Sequence, residues 1–175
     1  MLETENQTDL FEDVSNPLDG VEEIMFNNDW TFDRQTEDEM SVTVTGKYTH
    51  HKMTFYWEDD YSALRFFCTP DITIHKNNMD IAMQTLNNVN NDLWLGHFDL
   101  TKEGGNENHL IPRFRHTCLF RGMNETSGIP QMEDIIDIAL HECERFYPCF
   151  ELLSHSKTIS KQALSLAVMD VEGLS

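Results

Sequence analysis

Strict alternation of apolar and polar residues marks the first half of the patterned chain. Met40, Val42 and Val44 alternate with Ser41, Thr43 and Thr45, a period of two that predicts a half-buried strand. "KMTFYWED" repeats it with Met53, Phe55 and Trp57, and "ALRFFCT" with Leu64, Phe66 and Cys68. The segments between them, "TGKYTHH" and "EDDYS", are short and polar, so neighbouring strands are expected to pair antiparallel. "WTFDR" adds a strand ahead of this meander, and His50 and His51 read as turn residues.

A longer period flanks the strands. Leu18, Val21 and Met25, with Ile24 beside them, share one side of a helix that Asn16 would cap and Pro17 would open. Met79, Ala82, Met83, Leu86, Val89 and Leu93 recur at helical steps, with asparagines on the outward side. "LWLGHFDLTKEGGNENHLIPRFRHTCLFRG" then predicts two strands around a polar, glycine-bearing loop near residues 101–110. Parity sorts this hairpin into an apolar face (Trp94, Phe98, Phe114, Cys118, Phe120) and a polar face (His97, Asp99, Arg113, Arg115, Arg121). A long helix follows with Met132, Ile135, Ile136, Ala139, Cys143, Phe146 and Phe150 inward, and Pro148 should kink or end it. "TISKQALSLAVMD", capped by Thr158, predicts a short last helix. Strands bracketed by helices without βαβ alternation indicate an α+β fold, an antiparallel sheet packed against helices. The expected organisation is a flexible acidic tail over residues 1–15 and one domain over 16–172.

Charge narrows the function classes. Thirty-one acidic residues against twelve Lys and Arg give a net charge of −19, a field that repels phosphate backbones and anionic lipid surfaces. Nucleic acid and membrane are therefore not expected partners. No apolar run approaches the roughly 18 residues a spanning helix needs, and "MLETENQTDLFEDVS" has neither the basic start nor the apolar core of a secretory signal. The expected compartment is the cytoplasm. Cys68, Cys118, Cys143 and Cys149 are then expected as reduced thiols, and none forms a CxxC pair.

The stretch "HECERFYPCF" concentrates reactive side chains, but a zinc-protease helix needs a second histidine four residues after the first, where this chain has Arg145. His141 and Cys143 lie about 200° apart around a helix. The expected role of the segment is structural, with Cys143 inward and His141, Glu144 and Arg145 on the polar side. Adjacent His50 and His51 cannot chelate together from a strand. His97 and His116 fall on opposite hairpin faces, with His116 expected beside buried aromatic residues. No GxSxG elbow, P-loop or GxGxxG is present, so no metal, cofactor or catalytic residue is assigned. Arg113, Arg115 and Arg121 share a parity and supply three of the twelve positive charges. They either neutralise neighbours such as Asp99 or contact an acidic peptide, since arginine forks match carboxylates. Met25, Met79, Met83 and Met132 either fill the core or line an adaptable apolar groove.

"NDWTFDR", "LWLGHFDL", "FRHTCLFRG" and "ECERFYPCFELL" carry a resemblance to the YbjN-like proteins, a bacterial family described as sensory-transduction regulators. The resemblance runs from "NPLDGVEEI" to "SLAVMD" and omits the acidic tail. It implies a fold similar to type III secretion chaperones and carries no catalytic residues over. The expected function is thus noncatalytic: a protein-binding or regulatory module whose partner is another protein or a second copy of the chain, with His97, Asp99, Arg113, Arg115 and Arg121 as the binding residues. The alternative is a small-molecule- or metal-binding enzyme using polar residues of the 94–121 hairpin.

Overall fold

A computed structural model describes residues 16–103, 106–121 and 128–155. The expected acidic tail and last helix lie outside them. Elements run in the order α1 (Leu18–Asn27), β1 (Phe32–Thr36), β2 (Glu39–Thr45), β3 (His50–Glu58), β4 (Ala63–Pro70), β5 (Ile74–His75), α2 (Met79–Asp92), β6 (His97–Glu103), β7 (Asn106–Leu119) and α3 (Gly128–His155). Every strand pairing is antiparallel, and the α+β class predicted from periodicity is what forms. Asn16 accepts the Leu18 N–H at 3.0 Å, but the N-cap is Pro17 and the helix opens one residue later than expected, at Leu18.

Registers explain why one side of the sheet is dry. Met40 faces Phe55, Val42 faces Met53 and Val44 faces His51. Phe55 faces Phe66 and Met53 faces Cys68, while Phe98 faces Phe114. These inward residues are buried together with the apolar stripes of α1, α2 and α3 in one core. The opposite side of the strands carries Ser41, Thr43, Thr54, Tyr56 and Arg65, exposed or half-buried. Parity decides this, because successive strand residues point to opposite faces.

β5 has no counterpart in the sequence reading. Leu110 of β7 pairs with Ile74 of β5 and with Lys102 of β6, and Phe114 pairs with Cys68 of β4 and Phe98 of β6. β4 and β5 therefore lie along the same edge of β7, opposite β6. The interruption between them spans Pro112, which has no N–H to offer a neighbouring strand.

Four further details depart from expectation. The hairpin loop is not 101–110, because pairing continues to Glu103 and Asn106; β-ladder hydrogen bonds outweigh the polar, turn-like composition there. Helix α3 does not end at Pro148 but runs to His155, about 42 Å. Cys143, Phe146, Cys149, Phe150 and Leu153 are buried on both sides of the proline, and that packing offsets the lost hydrogen bond. Trp94 is 78% exposed rather than in the apolar face: it precedes β6, and Gly96 with φ +67° breaks strand parity between them. Finally, Asn90 of α2 does not face outward. Its side chain donates to the Phe98 carbonyl at 3.0 Å and accepts the Phe98 N–H at 2.7 Å, occupying hydrogen-bonding groups that the edge strand β6 would otherwise leave open. No helix among the described residues is long and apolar enough to cross a membrane.

Candidate functional site

The polar hairpin face assembles largely as parity required. His97 pairs in register with Arg115, and Asp99 with Arg113. Arg113 forms a bidentate bridge to Asp99, Nε to Oδ1 at 3.0 Å and Nη2 to Oδ2 at 2.8 Å. Arg115 reaches the same carboxylate only at 3.5 Å and keeps 38% of its side chain exposed. The Arg113 guanidinium also lies 4.3 Å from the Phe67 ring centroid, with Arg65 at 5.3 Å. Tyr56 meets Phe67 edge-on at 5.9 Å. Phe67 is consequently 4% exposed although it points away from the helices: cationic and aromatic side chains roof it instead.

Arg113 is thereby committed to Asp99 and Phe67, the neutralising alternative of the two readings. Arg115 keeps guanidinium donors that its single long contact does not occupy. Arg121 lies two residues past the end of β7 and shares no ion pair with the other four among the described residues. His116, opposite Phe66 in β4, is half-buried, and burial holds its pKa below the usual histidine value. Met25 and Met132 are core residues, while Met79 and Met83 are exposed, so these four methionines do not line one groove. A cleft of about 430 Å³ lined by Thr73, His75, Asn77, Asn78, His109, Ser154 and His155 contains none of the predicted site residues.

A second cluster was not foreseen. His51 is no turn residue: it is the second residue of β3, fully buried and facing the core. Its Nε2 lies 2.6 Å from Glu144 Oε1, and the same oxygen accepts the Lys47 backbone N–H at 2.9 Å. Cys68 of β4 sits diagonally across from His51, beside its register partner Pro70, and Cys143 of α3 covers both. Ligand atoms of His51, Cys68 and Cys143 all lie within 4.8 Å of one another, with each residue buried. Cys143 Sγ donates to the Cys68 carbonyl at 3.8 Å. Gly46 makes the arrangement possible, because a Cβ there would overlap Glu144 Oε1 and the His51 ring.

The electrostatics separate this cluster from the other cysteines. Hydrogen bonding from Cys143 lowers the Cys68 pKa to about 7 against the opposing effect of burial, with His51 helping. Burial and the neighbouring Cys68 push the Cys143 thiol well above its ordinary value. At His51 burial disfavours the charged ring, but Cys68 and Glu144 together outweigh it and raise the pKa. Cys118 and Cys149, with burial alone acting on them, are pushed up to about 11. The available signal was parity: His51 continues the Met53, Phe55, Trp57 face, and Cys68 that of Leu64 and Phe66. Reading His51 as part of a turn concealed it.

A seven-stranded antiparallel sheet with three helices defines an α+β protein. The family model described as "YbjN: Putative bacterial sensory transduction regulator" matches residues 17–152. The chain belongs to the YbjN family, whose description is that of a regulator. It is also similar to a solved structure described as "Crystal structure of YbjN, a putative transcription regulator from E. coli", with 12% identity and a TM-score of 0.46 over 73% of this chain and 90% of that one. No curated protein matches the sequence.

Proposed function

We propose that the protein is a noncatalytic, cytoplasmic regulatory module that binds a protein partner through the outer face of its sheet, with Arg115 as the principal contact and His97 beside it. The observation that carries this reading is the unequal use of the two arginines. Arg113 is held by Asp99 and Phe67, and this fixed pair presents Arg115 half-exposed with only a long contact of its own. A rigid platform beneath a guanidinium with only one long contact lowers the ordering cost of binding. The partner chemistry that fits is an acidic side chain, since a guanidinium fork pairs with a carboxylate. Steering is also local: a partner attracted here must approach a molecule that is strongly acidic elsewhere, which favours a small acidic segment over an extended acidic surface.

Arg115→Glu should abolish capture of a bacterial partner by the immobilised full chain. Its stability should stay within about 0.5 kcal/mol of the parent, as for other surface substitutions. Paired capture experiments from the same lysate, quantified by mass spectrometry, compare the two chains; thermal unfolding supplies the control. Equal capture by both would remove Arg115 from the interface. A large loss of stability would make it a structural ion-pair residue, and the docking role would fall.

A further inference from the structure

We infer that His51, Cys68 and Cys143 form a buried binding site for a thiophilic metal ion of the Zn(II) or Cu(I) type, with Glu144 as the residue that orients the histidine. Three independent observations converge on it. The donor set is two sulfurs and one imidazole within 4.8 Å of one another, a combination that suits zinc and copper and not the hard oxygen-seeking cations. His51 is fully buried, and its Nδ1 makes no well-formed hydrogen bond among the described residues. The electrostatics link the ring to the Cys68 sulfur, so that nitrogen is turned to a thiol rather than to an ordinary polar partner. Its other nitrogen, Nε2, is held at 2.6 Å by Glu144.

That last contact is what distinguishes a ligand from a core histidine. Metal-binding imidazoles characteristically give their second nitrogen to a carboxylate, which fixes the ring and strengthens it as a donor. With Nε2–H donated to Glu144, Nδ1 is left as the lone-pair nitrogen of the neutral ring. Binding converts both thiols to thiolates and releases their protons; two thiolates then balance Zn(II), whereas Cu(I) would leave one negative charge in the core. Zn(II) would need a fourth donor beyond these three, and Cu(I) would not. The short β2–β3 connection covers the site. Gly46 packs on the His51–Glu144 pair, Lys47 binds Glu144 through its backbone, and Tyr48 stacks on Tyr147 of α3 at 5.3 Å.

The test uses the full chain, stripped with chelator and reduced, and titrated with Zn(II) or, without oxygen, with Cu(I), each against a chromophoric competitor. One equivalent of one of the two ions is expected to bind, and the ion that does so fixes the coordination type. Cys143→Ser and Cys68→Ser should lose binding, whereas Cys118→Ser, another buried cysteine, should retain it. Glu144→Gln should weaken binding about 10–100-fold with an unchanged circular dichroism spectrum. If Cys68→Ser does not fold, Cys143→Ser and Glu144→Gln decide the matter. Substoichiometric binding of both ions overturns the site. So does equal loss in Cys118→Ser, or undiminished binding in Cys143→Ser.

Discussion

Phe98→Ala should cost about 3–5 kcal/mol of unfolding free energy, the range for emptying a large buried aromatic site. Phe98 is almost fully buried and is the centre of an aromatic group that neither the strands nor the helix could build alone. Its ring meets Phe114 at 5.6 Å, Phe146 at 6.1 Å and Phe150 at 5.2 Å, each close to edge-on, the geometry that aromatic quadrupoles favour. The residue therefore ties the edge hairpin to α3. Removing its ring withdraws all three contacts at once and leaves a cavity between elements that cannot close without bending β6. Urea unfolding should show a lower midpoint with an unchanged denaturant dependence, since the exposed surface hardly alters. Phe98→Leu keeps most of the volume and should cost under about 1.5 kcal/mol. An alanine cost as small as the leucine cost would mean that the hairpin is anchored elsewhere.

Gly96→Ala should destabilise by roughly 2–5 kcal/mol, from about 1–2 for left-handed backbone in an L-residue and about 1–3 for overpacking. Gly96 has φ +67°, and a Cβ at this position would overlap the Phe114 ring. That ring is fully buried among core residues and cannot swing away. Gly96→Asn separates the two causes. Asparagine tolerates left-handed backbone better than alanine, but it carries the same Cβ. Denaturant midpoints for both variants should fall together if the Phe114 contact dominates. A near-native asparagine variant would instead place the whole requirement in the backbone angle, and the close approach of Gly96 to Phe114 would have no energetic weight.

Much of the architecture was legible because both periods were clean. Alternation located β2, β3 and β4, and three-and-four spacing located the buried sides of α1 and α3 and, apart from the exposed Met79 and Met83, that of α2. Errors fell where a local signal met a tertiary constraint. Asn90 looked like a solvated helix residue because nothing in a helical repeat announces an edge strand needing partners. Of the two outcomes expected at Pro148, a kink or an end, the end does not occur, because the cost of an internal proline is local, whereas the burial that outweighs it comes from the sheet. β5, two residues long, is too short for any period to reveal.

The candidate sites divide along the same line. Asp99 and Arg113 were placeable together because a hairpin brings them into register across a short connection, and strand parity keeps them on one face. Which arginine would be tied down and which left half-exposed depended on Phe67 in β4, a strand outside that hairpin. His51, Cys68 and Cys143 belong to three elements distant in the chain, and no spacing rule links them. What the sequence by itself determined is the side of most elements that goes to the core, since that follows from repeat length and hydrophobic burial. The tertiary structure decided which buried polar atoms meet. That depends on strand register and on where α3 crosses the sheet, and it placed one histidine and two thiols within reach of a single ion.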